Sequence, residues 1–249
     1  MAGHSKWKQI KRQKGVADQR RGALFTKLAR EITLAAKLGG SDPAGNFRLR
    51  LAVQNARDNN MPADNIQRAI ARAAGGGDAN DLMEITYEGY GPSGVAILIE
   101  AMTDNRNRTV GEVRSVLTRA GGNLGESGSV AWQFASRGIV AVESATKSPD
   151  EIVDLAIEAG AEDVLVDGDS VDVYTAATDL ESVRQSLLDA GLEVTNAELS
   201  MVPTTPLALD AKDAEQVIRL IEKLEDLDDV QRVYSNAEFP DEVFEAVGT

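Results

Sequence analysis

The sequence predicts an α+β protein: an N-terminal three-helix domain, then two small ferredoxin-like α/β domains, the last inserted in the middle one. Three observations predict it. Apolar residues recur at helical spacing between residues 17 and about 74, and past residue 81 the pattern turns to strands. Residues 137–203 carry a complete β-α-β-β-α-β order. Residues 81–136 lack one helix and one strand, and residues 204–242 supply both.

Taken in order, residues 1–16 show no apolar period and read as a basic arm, flexible when unbound. Leu24, Leu28, Ile32 and Ala35 mark the first helix, which Gly39-Gly40 ends. A second helix runs near Asn46 to Asn59, with Phe47, Leu51 and Val53 available to the core. Pro62 opens a third helix carrying Ile66, Ile70 and Ala73. Leu82 to Glu88 alternates, Gly91-Pro92-Ser93-Gly94 turns, and Val95 to Met102 is a nearly continuous apolar strand. Thr109 with Glu112 forms a capping box for a helix reaching Ala120, and a strand follows at Ser129 to Phe134.

The next unit opens with a strand at 139–144, and Ser148 and Glu151 box the start of a helix that has Pro149 at its first position. Strands 162–167 and 170–175 join through Asp167-Gly168-Asp169. Thr178 with Glu181 caps the next helix, and a strand at 193–200 closes the unit. A helix from Asp210 to Glu225 and a strand from Val230 to Ser235 complete the chain. The domains are therefore 17–80, 81–136 plus 204–242, and 137–203 inserted between them.

Composition narrows the chemistry. The chain has 249 residues, no cysteine and one histidine, so disulfides, iron–sulfur centres and Cys-ligated zinc are excluded. No window approaches the roughly 20 apolar residues of a membrane span, and no apolar stretch follows the positive N-terminus as a secretory signal requires. The formal net charge is −14, yet residues 1–80 hold 15 Lys or Arg against 6 Asp or Glu. A basic head on an acidic body calls for a polyanionic partner; charge segregation serving only solubility is the plain alternative.

The candidate site residues follow from that charge. Lys6, Lys8, Lys11, Arg12 and Lys14 suit phosphate contacts, and Arg20, Arg21, Lys27 and Arg30 extend the charge into the first helix. Trp7 can stack on a base or dock on the bundle, and His4 can donate to a phosphate. The stretch Thr103-Asp104-Asn105-Arg106-Asn107-Arg108-Thr109 places Arg106 and Arg108 between a strand and a helix. The alternative is that Asp104 and the Asn residues turn the loop and the arginines pair with nearby acids.

Gly121 to Gly128 and the glycines near Tyr90 lack phosphate-loop spacing and read as turns, with Tyr87 and Tyr90 a packed aromatic pair. Glu84, Glu88, Glu100 and Asp104 show no metal or acid–base spacing, and no activated nucleophile accompanies them. No metal, cofactor or enzymatic activity is expected. Residues 137–203 hold 15 acids against 3 bases, which suits a basic protein surface better than phosphate.

Several of these segments together carry a resemblance. Gly3-His4-Ser5-Lys6-Trp7, then Asp18, Arg21, Phe25 and Lys27 with Arg30-Glu31-Ile32, resemble the opening of the YebC/PmpR family. The likeness continues through Asn60-Met61-Pro62, Tyr87-Glu88-Gly89-Tyr90-Gly91-Pro92 and the Thr103 to Thr109 stretch, and covers essentially the whole chain. The resemblance implies a cytoplasmic, mostly monomeric three-domain protein that binds nucleic acid as a transcriptional regulator. Relatives in the family are also linked to translation, as mitochondrial translational activators and as factors that relieve ribosome stalling, so rRNA, tRNA and the ribosome stand beside DNA as candidate partners. The helices carry no recognition-helix signature and the α/β domains no RNP aromatic motif. An acidic protein-interaction scaffold is the third class.

Overall fold

The computed structural model describes residues 18–74, 82–143, 147–168, 170–240 and 242–243. Three helices come first: α1 (Asp18–Gly39), α2 (Phe47–Asp58) and α3 (Ala63–Ala74). Asn46 joins the first two. Its side-chain amide donates to the carbonyls of Ala35 and Gly40, both at 2.8 Å, while its Oδ1 accepts from the Leu49 N–H at 3.0 Å. One side chain thus caps α2 and ties off the end of α1. Leu28, Ile32, Leu49, Val53, Ala56 and Ile66 fill the bundle core. Phe47 and Leu51 lie on the other face of α2 and pack on the second sheet instead. The sequence offers them to the bundle, but their i, i+4 stripe is offset from that of Leu49 and Val53.

The chain then forms β1 (Met83–Tyr90), β2 (Ala96–Thr103), α4 (Arg106–Arg119) and the short β3 (Asn123–Leu124). The second sheet unit comprises β4 (Phe134–Glu143), α5 (Pro149–Glu158), β5 (Asp163–Asp167), β6 (Ser170–Ala176), α6 (Leu180–Asp189) and β7 (Glu193–Pro203). After β8 (Leu207–Ala208) come α7 (Ala211–Glu225), β9 (Val230–Ser235) and β10 (Ala237–Glu238). The first sheet has the order β3-β1-β2-β9, and the second β5-β6-β4-β7. The second is the split order expected of β-α-β-β-α-β. In the first, β9 pairs antiparallel with β2, so the end of the chain returns past the second sheet to complete it.

Strand β2 reads as a nearly continuous apolar run because both its faces are covered. Ile97, Ile99 and Ala101 join Val113 and Leu117 of α4 and Val217 and Leu220 of α7. Ala96 and Leu98 face the other way, onto Val130, Phe134 and Tyr234.

Four details differ from the sequence expectation. No strand forms at 129–134; residues 131–133 make a 3-10 turn, and Phe134 already belongs to the second sheet. The third strand of the first sheet is the two-residue β3. Helix α4 is capped by Asn105 rather than Thr109, so it begins one turn earlier. Helix α6 has Asp179 at its N-cap, and Thr178 donates to the Asp179 carboxylate at 3.0 Å instead of capping. Asp169 of the expected hairpin turn lies outside the described residues.

The Ser148 capping box on α5 has the expected reciprocal form, with Glu151 accepting from the Ser148 N–H at 2.8 Å. Ser148→Ala is expected to lower stability by about 1 kcal/mol, read as a small fall in the urea midpoint with unchanged slope. An unchanged midpoint would show that the cap contributes nothing.

Candidate nucleic-acid interface

The loop between β2 and α4 is built by short polar side chains. Asn105 Oδ1 accepts from the Arg108 N–H at 3.1 Å and caps α4, and Thr103 Oγ1 accepts from the Asn105 N–H at 2.9 Å. Thr109 is therefore turned inward. Its hydroxyl and that of Thr103 lie 2.7 and 3.0 Å from Oδ2 of Asp229, a carboxylate only 2 % exposed. Arg108 Nη2 donates to the same oxygen at 2.7 Å and to Asp104 at 2.9 Å. Burial pushes the Asp229 carboxyl upward, but the bonds from Arg108, Thr109 and Thr103 outweigh it and hold the group below its ordinary value. Arg108 is raised in turn by Asp229 and then Asp104, so it stays charged.

Arg108 remains 43 % exposed, and among the described residues its Nη1 and Nε have no partner. One edge of the guanidinium is anchored and the other faces solvent. Arg106 is exposed at the first turn of α4; burial raises the nearby Tyr87 hydroxyl, and the Arg106 charge offsets only part of that rise.

The cations of α1 reach the same place from the bundle. Lys27 Nζ donates to the Glu225 carbonyl, and Arg30 Nη1 to the Asp228 carbonyl. Arg30 also lies 3.1 Å from Oδ1 of Asp229. Arg30, Lys27 and Arg108 therefore converge on residues 225–229, with Arg106 beside them on α4. Arg21 is exposed on α1, and Arg57, Arg68 and Arg72, which the sequence reading did not single out, are exposed on α2 and α3. His4, Lys6, Trp7, Lys8, Lys11, Arg12 and Lys14 lie outside the described residues, as does the side chain of Arg20.

The four carboxylates weighed as a set do not form one cluster: Glu84 and Glu100 line one cleft, while Glu88 and Asp104 each have their own partners. Glu84 pairs with Arg48 at 2.8 Å, and Asp104 with Arg108. Glu100 accepts from the Tyr234 hydroxyl at 3.2 Å, and burial raises it against the pull of Arg232. Glu88 is buried and accepts the N–H groups of Gly128, Val130 and Ala131 at 2.7, 2.8 and 2.8 Å. These bonds overcome the upward push of burial and keep it below its usual range. Glu88 thus fixes the glycine-rich loop 121–133, which presents Trp132 with 70 % of its surface exposed.

Tyr87 and Tyr90 do not pair. Three residues apart on a strand, they face opposite sides of the sheet, Tyr87 into the helix-covered core and Tyr90 toward Val130 and Phe134. Among the described residues no group of three or more His, Cys, Asp or Glu could hold a metal ion, and no helix is long and apolar enough to cross a membrane.

A cleft of about 270 Å³ opens where the bundle meets both sheets, between Glu31, Arg48, Glu100, Met201, Arg232 and Tyr234. Arg232 donates to Glu31 at 3.3 Å. Burial opposes its charge, but Glu31 and the surrounding acids keep it raised.

A family model described as "TACO1/YebC protein N-terminal domain" matches residues 5–76, and one described as "TACO1/YebC second and third domain" matches residues 82–237. The chain belongs to the TACO1/YebC family. Relatives of this YebC-family chain include a "Probable transcriptional regulatory protein" of Roseiflexus castenholzii, 58% identical over 98% of both chains. A protein of the same name from Desulfosudis oleivorans is 50% identical over 99% of this chain and 100% of that one. The crystal structure of a conserved hypothetical protein from Aquifex aeolicus superposes with a TM-score of 0.83 at 44% identity, covering 90% of this chain and 92% of that one. At the level of the family, this YebC-family chain is a regulator.

Asp229 is the residue that sequence reasoning missed in this YebC-family chain. It hides in the acidic run Asp226-Leu227-Asp228-Asp229. The available signal was its place directly before Val230, the first residue of a buried strand, where an acid needs a donor.

Proposed function

We propose that the protein regulates gene expression by binding nucleic acid, as a DNA-binding transcriptional regulator. The observation that carries this is the concentration of cations in residues 1–80 of an otherwise acidic chain. The interface comprises His4, Lys6, Trp7, Lys8, Lys11, Arg12 and Lys14 of the arm, Arg20, Arg21, Lys27 and Arg30 of α1, and Arg106 and Arg108 at the start of α4. The outward edge of Arg108 and the exposed Arg106 give the α4 end a place for phosphate oxygens. The names of the relatives support the transcriptional reading.

An RNA or ribosome target is the second reading. It is favoured by the placement of seven of the thirteen candidate residues on an arm rather than on a groove-fitting helix, an arrangement suited to following phosphates. Crosslinking in growing cells with sequencing of bound nucleic acid, beside ribosome sedimentation, separates the two. Reads confined to promoter DNA support the first reading. Crosslinks to rRNA or tRNA with cosedimentation support the second. Neither signal, with a protein partner retained after arm-charge reversal, would leave the scaffold reading and remove both.

The proposed division into 17–80, 81–136 plus 204–242, and 137–203 is refined by the pairing at the junction. Phe134 pairs with Pro203, and the Thr204 N–H donates to the Gln133 carbonyl at 2.8 Å. Joining Phe134 to Thr204 by a short linker, with 135–203 removed, keeps Phe134 under Ala96 and Leu98 and is expected to leave the first sheet cooperatively folded. Loss of a cooperative transition in that deletion would overturn the discontinuous-domain proposal.

A further inference from the structure

The cations of α1 that suit a phosphate are already held by oxygens of the chain itself. Lys27 and Arg30 lie one turn apart on α1 and reach the Glu225 and Asp228 carbonyls and the Asp229 carboxylate. These acceptors sit at and just beyond the C-terminal end of the fifteen-residue helix α7. The last carbonyls of a helix lack intrahelical donors and carry partial negative charge. Together with Asp229 they offer Lys27 and Arg30 what a phosphate group would offer.

We propose that this contact is an autoinhibitory latch, in which the end of α7 and Asp229 compete with nucleic-acid phosphates for Lys27 and Arg30. The inference rests on the nucleic-acid reading and adds a regulation of that same interface.

Two features make the latch releasable. Asp229 divides its bonds: Oδ2 takes Arg108, Thr103 and Thr109, and Oδ1 takes Arg30. When Arg30 leaves, Asp229 keeps a cation and two hydroxyls, so its charge is not stranded. The remaining seam between the bundle and the sheets is also largely ionic. It includes Glu31 with Arg232, Arg48 with Glu84, and Arg50 with Glu181 at 3.6 Å. Apolar packing there comes mainly from Phe47 and Leu51 on the second sheet. Polar inter-domain seams of this kind permit relative motion and weaken with salt and competing polyions.

The chain has no cysteine, so a fluorophore pair can be placed without background at the exposed positions Ser41→Cys and Glu222→Cys. Energy transfer is measured on the full chain, alone and with a short single-stranded RNA or a DNA duplex of the same length. Transfer is expected to fall as nucleic acid saturates, because the bundle leaves α7. Asp229→Asn is expected to lower transfer before any addition and to tighten binding about 5-fold, because it removes the charge that holds Arg30 and, on its other oxygen, Arg108.

Glu84→Gln loosens the seam at an exposed pair that contacts no proposed phosphate and cannot unfold a core. It is expected to move both readouts in the same direction, more weakly. Nucleic acid that binds wild type while transfer and affinity stay the same in both variants would overturn the latch and leave the nucleic-acid reading intact. No binding of either probe by any form would overturn that reading, and the latch with it.

Discussion

Replacing Lys6, Lys8, Lys11 and Lys14 together with Glu is expected to lower affinity for every nucleic-acid sequence tested, on the order of a thousand-fold at about 0.1 M salt. The magnitude follows from counterion release. Each neutralised phosphate in a duplex contributes about 0.9 to the slope of log K against log salt, so four lost contacts flatten that slope by about 3 to 4. On a single strand the flattening is about 3. The four residues lie in a segment with no apolar period, so no expected core is touched. Filter binding or fluorescence anisotropy across a salt series reads both quantities, and circular dichroism checks the fold. A folded variant with unchanged affinity and slope would remove the arm from the interface. A loss confined to one sequence would instead point to base readout by the arm.

The elements were legible wherever a local signal agreed with the tertiary environment. Helix α7 and strand β9 were visible as apolar patterns, and so was the need of the first sheet for one more helix and strand. The Ser148–Glu151 box was visible because both partners lie within one turn.

The failures share a physical cause. Thr109 and Glu112 satisfy the capping-box pattern, but Asn105 wins the cap because Thr109 is drawn inward to Asp229, 120 residues away. Ser129 to Phe134 looks like a strand because it is apolar. The backbone N–H groups of Val130 and Ala131 go instead to the side chain of Glu88, which no local pattern announces, and that of Gln133 goes to the Val130 carbonyl. The contacts of Lys27 and Arg30 were hidden for the same reason: nothing near them in the sequence shows that the end of α7 supplies oxygens to them.

Glu88 gives a large stability effect for a single side chain. Its carboxylate is the acceptor for three backbone N–H groups of one loop, and that loop places Val130 under Ala96 and Leu98. Glu88→Ala leaves those donors without an acceptor and is expected to cost about 3 kcal/mol or more, since each buried unsatisfied donor costs about 1–3 kcal/mol. Glu88→Gln keeps the shape and one acceptor oxygen, and is expected to cost about 1–2 kcal/mol. The Trp132 indole, whose N–H donates to the Ser129 carbonyl at 3.1 Å, reports loosening of the loop as a change in emission.

The pH dependence separates a charged role from simple packing. In the folded state Glu88 is held below its ordinary value of 4.5, because the N–H bonds of Gly128, Val130 and Ala131 exceed the opposing effect of burial. A depressed carboxyl binds fewer protons folded than unfolded. Its stabilisation is therefore present above the unfolded value and is lost as pH falls through the folded one. Asp229 contributes in the same direction, but equally in wild type and Glu88→Gln, so it cancels in their difference. Urea midpoints measured from neutral pH down past the carboxylate range should show a wild-type advantage that is full at neutral pH and shrinks below about 4.5. A constant difference across that range would mean that the loop depends on the shape of Glu88 and not on its charge.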